Sequence, residues 1–61
     1  MNKEQFINGC KENNIKIIER PAKWPYNYGD NKDLYATNSN GVTMRFFFND
    51  DGILLSKEVI K

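Results

Sequence analysis

The apolar residues change their spacing once along this chain. Over the first dozen positions they fall at Phe6, Ile7 and Cys10, one short stripe at helical spacing, and from Ile15 onward they come as β-branched and aromatic runs of strand length. Asn2 is placed to cap the helix by accepting a backbone N–H, and Gln5 stands three residues on, in the reciprocal position of a capping box. Asn13 and Asn14 suit the exit, because asparagine tolerates the left-handed conformation. Gly9 weakens such a helix by about 1 kcal/mol relative to alanine, so the helix depends on docking.

Four strands follow in the pattern. The first is Ile15 to Glu19, ended by Arg20-Pro21; the others are Leu34 to Thr37, Val42 to Phe48, and Ile53 to Ser56 or Val59. The last three are separated by Asn38-Ser39-Asn40-Gly41 and Asn49-Asp50-Asp51-Gly52, whose Asn-Gly and Asp-Gly steps are hairpin signals. The fold expected is α+β, one N-terminal helix packed on a small antiparallel meander of three to four strands, forming one domain over residues 1 to 61.

Three consecutive phenylalanines, Phe46, Phe47 and Phe48, make both faces of that sheet apolar, since a strand alternates sides. With hairpin loops of two or four residues, Phe46 and Phe48 share a face with Tyr35, Ile53 and Leu55, while Phe47 joins Leu34 and Leu54. A three-residue loop with a bulge at Gly52 alters this parity. One helix covers the first set. The Leu34, Phe47, Leu54 stripe then needs the loop, a second copy of the chain or a partner to cover it, which suggests a homodimer.

Between the first two strands, residues 20 to 32 carry two prolines and a glycine and read as a loop. Loops of about 12 or more residues are uncommon in compact domains and are often functional. Trp24, Tyr26 and Tyr28 alternate along it, with Arg20, Lys23 and Lys32 around them. Trp, Tyr and Arg dominate binding hot spots. The same set suits stacking on single-stranded nucleic acid, or completion of a small core with the hydroxyls reaching water. Arg45, on the Phe47 face, is open to the same readings, a solvated or paired surface arginine being the default.

Composition narrows the chemistry. A chain of 61 residues buries only about 60% of its unfolded surface. It has no histidine and one cysteine, Cys10, so neither an intrachain disulfide nor a Cys/His zinc site can be built; a reducing cytoplasm is expected, with Cys10 as a small core residue. No run approaches the ~18 apolar residues of a membrane helix, and no apolar stretch follows the N-terminal charge. Nine basic and eight acidic residues leave a net charge of +1, with +2 on residues 1 to 32 and −1 on the rest, no global pull toward nucleic acid or anionic lipid.

Catalytic signatures are lacking. Asp50-Asp51 reads as turn chemistry, and Asp30-Asn31-Lys32-Asp33 lacks the glycine and distal glutamate of an EF-hand loop. Neither a phosphate-binding glycine pattern nor a nucleophile elbow is present. The expectation is a non-catalytic, cofactor-free protein-binding module, possible in size for a phage or mobile-element regulator or inhibitor of a host protein. Its expected contact residues are Arg20, Lys23, Trp24, Tyr26, Tyr28, Arg45 and Phe47, and the alternative is a single-stranded nucleic-acid or RNA binder.

Overall fold

The computed structural model describes residues 2–60. Helix α1 (Lys3–Glu12) precedes four strands, β1 (Lys16–Pro21), β2 (Lys32–Thr37), β3 (Thr43–Phe48) and β4 (Leu54–Val59), which form one antiparallel sheet in chain order. The expected helix-on-meander architecture is the one observed, with four strands.

The capping box closes as the sequence predicts. Asn2 Oδ1 accepts the Gln5 N–H at 2.8 Å, and Gln5 Oε1 accepts the Asn2 N–H at 3.1 Å. The next amide, Lys3 N–H, donates to Gly52 O at 3.0 Å, so the helix start is tied to the β3–β4 turn. At the other end Asn13 Nδ2 donates to Gly9 O at 2.7 Å, and Asn14 turns the chain with φ 58°. A ten-residue helix is too short to stand alone in water. It is held by Phe6, whose ring sits 4.4 Å from Phe46 and 5.5 Å from Phe48, and by the buried Cys10.

Both hairpins are built alike, and their construction corrects the expected faces. Asn38 N–H donates to Val42 O and Asn49 N–H to Ile53 O, so three residues separate each closing pair. In each, the opening asparagine's Oδ1 accepts two further amides, those of Asn40 and Val42 in one and of Asp51 and Ile53 in the other. Gly41 (φ 82°) and Gly52 (φ 78°) take the left-handed position that such loops require. An odd loop reverses the parity that a two- or four-residue loop gives. Leu34 therefore opposes Phe46, Tyr35 opposes Arg45, and Leu54 opposes Phe48. Leu34 and Leu54 lie on the helix side, and Tyr35 lies on the Phe47 side, each the reverse of the expectation. The Leu34, Phe47, Leu54 stripe that suggested self-association does not form.

A β-bulge adds a second shift. Phe47 opposes Ser56 while Phe48 opposes Leu54, which leaves Leu55 unpaired and exposed. Without this extra residue Arg45 would face Lys57. With it, Arg45 faces Glu58.

Candidate functional site

The face away from α1 is organised around Asp33. This residue opposes Arg20 on β1 and Phe47 on β3, and it is fully buried, at 0% exposure. A carboxylate there needs charged and hydrogen-bonding partners. Its Oδ2 accepts from Arg45 Nη1 at 3.3 Å and from the Lys23 backbone N–H at 3.1 Å. Its Oδ1 has no partner among the described residues. Arg45, also buried, donates from Nε to Glu58 Oε1 at 3.0 Å, and Nη2 comes within 3.5 Å of Ser56 Oγ. Burial works against the guanidinium's charge, but the Glu58 bond and the field of Asp33 outweigh it, and the Arg45 pKa is raised above its ordinary value.

That buried pair fixes the loop. The bond from Lys23 N–H to Asp33 pins one limb, Ala22 N–H to Asn31 O (3.1 Å) closes the neck, and Asn31 Nδ2 to Tyr26 O (3.0 Å) ties the return limb to the outgoing one. Within it, Tyr26 N–H donates to Lys23 O, and the Trp24–Pro25 bond is cis. Tyr26 stacks on Phe47 and completes the core on this side of the sheet.

The three aromatics therefore separate. Tyr26 is half-buried core, whereas Trp24 is 83% exposed and Tyr28 66% exposed. Arg20 and Lys23 are exposed, and neither has an ion-pair partner among the described residues. Lys32 opposes Pro21 and so belongs to the helix side of the sheet, apart from Arg20. Phe47 (2% exposed) and Arg45 are inside, and neither is free to meet a partner; the expected roles of these two as contact residues are corrected to core and loop support. Asp33 was missed as the anchor of this region. The nearest signal in the sequence is an acidic residue entering an apolar strand, which turn chemistry also explains.

Among the described residues no group of three or more His, Cys, Asp or Glu is placed to hold a metal ion, and no helix is long and apolar enough to cross a membrane. Cys10 is buried on the opposite side under α1, where burial raises its thiol pKa. Comparison with known protein families, curated proteins and solved structures finds no match to this chain.

Proposed function

We propose that the chain acts without catalysis, as a binding module that presents Trp24 to another protein. One observation carries this reading: a tryptophan 83% exposed stands on a loop whose backbone is held from beneath by a buried carboxylate, a neck bond and an aromatic stack. Leaving a large apolar side chain in water has no value for folding. Holding the backbone on either side of it has value for binding, because a preorganised loop loses less conformational entropy on association, and tryptophan is among the residues most enriched at hot spots. A small regulator or inhibitor of a host protein is the role that this arrangement suits.

Arg20 and Lys23 beside Trp24 and Tyr28 give the single-stranded nucleic-acid reading a specific basis too, since stacking aromatics among free cations are what such binders use. Affinity capture with the parent chain and with Trp24→Ala separates the readings. Protein species held by the parent, lost with the variant and indifferent to nuclease support the proposal. Species that disappear on nuclease treatment support nucleic acid, and identical capture by both baits removes the loop from consideration.

A further inference from the structure

On the Asp33 side of the sheet β1 contributes Lys16, Ile18 and Arg20, which oppose Thr37, Tyr35 and Asp33. All three are exposed, and the chain runs on through Pro21 and Ala22 to the exposed Lys23 and Trp24. This face of β1 thus presents a cation, an aliphatic side chain and a second cation, and the loop that follows adds an exposed cation and an exposed tryptophan. β1 is an edge strand, with β2 on one side and, among the described residues, no strand on the other.

Three carboxylates of the sheet are already engaged. Asp33 is buried against Arg45 and the Lys23 amide. Glu58 is held by Arg45 at 3.0 Å. Glu19, though on β1, falls on the helix side and pairs with Lys3 at 3.7 Å. Asp30 lies with Lys32 beside the β3–β4 turn, lining a hollow with Asn49 and Asp50. Lys16, Arg20 and Lys23 have no ion-pair partner among the described residues.

Resting on the protein-binding reading of Trp24, we infer that the partner supplies an extended acidic segment that adds as a strand alongside β1, with Trp24 packed against its end. Strand addition takes its affinity from the main chain of the free edge and its specificity from alternate side chains. Directly opposed residues on one face interact, and opposite charges there are favourable. Lys16, Ile18 and Arg20 recur at every second position, so the complementary segment carries acidic, apolar and acidic side chains at every second position as well. Near-neutral charge overall is compatible with this, because Lys16 and Arg20 share one face of the edge strand with no ion-pair partner among the described residues.

The test is a random linear peptide library selected against the full chain. Selected peptides, and separately a single-stranded oligothymidylate, are then titrated while the emission of Trp24, the chain's one tryptophan, is followed. The expected peptides are acidic with the alternating spacing, shift the Trp24 emission to the blue, and bind Arg20→Glu and Lys23→Glu variants about tenfold more weakly or worse, since like charges are then brought together. Circular dichroism verifies that both variants are folded. Neutral or basic peptides that still shift Trp24 overturn the acidic inference and leave the protein-binding reading standing. A response to oligothymidylate alone, or to no ligand, overturns both.

Discussion

The ring of Tyr26 lies nearly parallel to that of Phe47, their centroids 4.4 Å apart and their planes 12° from coincidence, so a loop residue finishes a core that the helix cannot reach. Tyr26→Ala uncovers Phe47 and is expected to lower stability by about 2 kcal/mol, the burial of half an aromatic side chain with its stacking. Phe47→Ala is expected to cost about 3–5 kcal/mol, close to the whole stability of a small domain. Trp24→Ala, by contrast, removes a side chain that touches little and should shift the denaturation midpoint by less than about 0.5 kcal/mol in equivalent stability. Urea titrations of the three variants followed by circular dichroism give the order. A Trp24→Ala variant as unstable as Tyr26→Ala would mean that Trp24 is packed into the protein.

Asp33 and Glu58 both meet Arg45, but their surroundings differ. Asp33 is fully buried, whereas the Glu58 side chain is 52% exposed. Removing the buried partner leaves Arg45 with only the half-exposed Glu58, so Asp33→Asn is expected to cost about 3 kcal/mol and to loosen the loop by weakening its hold on Lys23 N–H. Glu58→Gln should cost less than about 1 kcal/mol, because water screens that contact. Amide exchange separates the two further: Asp33→Asn accelerates exchange at Lys23 and Ala22, and Glu58→Gln does not. Equal losses from the two substitutions would contradict the view that Asp33 is the anchor.

The glycines give a backbone prediction with opposite signs. Gly52 has φ 78° and Gly41 φ 82°, so alanine at either is strained and should cost about 1 kcal/mol. At Gly9, inside α1, an added Cβ meets nothing within 4 Å and no positive φ is required. Gly9→Ala should therefore stabilise by about 0.5–1 kcal/mol through helix propensity alone. A destabilised Gly9→Ala variant would show a close neighbour at the helix surface.

What the sequence makes legible here is local. Asn2 and Gln5 are three residues apart, and their reciprocal bonds depend on nothing else in the molecule. The strands show in their residue types. Facing was misread because Asn-Gly and Asp-Gly steps fit two-, three- and four-residue loops alike, and one residue decides which side Leu34 and Tyr35 occupy. The bulge at Leu55 was beyond local reading, because what it accomplishes is the placing of Glu58 rather than Lys57 opposite Arg45. The loop's division into a core tyrosine and two exposed aromatics was likewise illegible: Trp24, Tyr26 and Tyr28 have the same spacing, and only the position of Phe47 chooses among them.

Cys10 provides a pH dependence. Burial under α1 raises its pKa, so the folded chain keeps the proton at pH values where the unfolded chain has released it. Between the unfolded value, about 8.5 for a free thiol, and the higher folded value, the unfolded state binds fewer protons and stability falls as pH rises. The contribution is complete below the unfolded value and disappears as pH climbs through the folded one. The measurement is the difference in urea midpoint between the parent and Cys10→Ala at neutral and at alkaline pH, which isolates the contribution of the thiol. That difference should narrow with rising pH, and the folded parent at neutral pH should react with a thiol reagent far more slowly than it does in urea. A difference that stays constant into the alkaline range, with prompt labelling of the folded chain, would place Cys10 in contact with water.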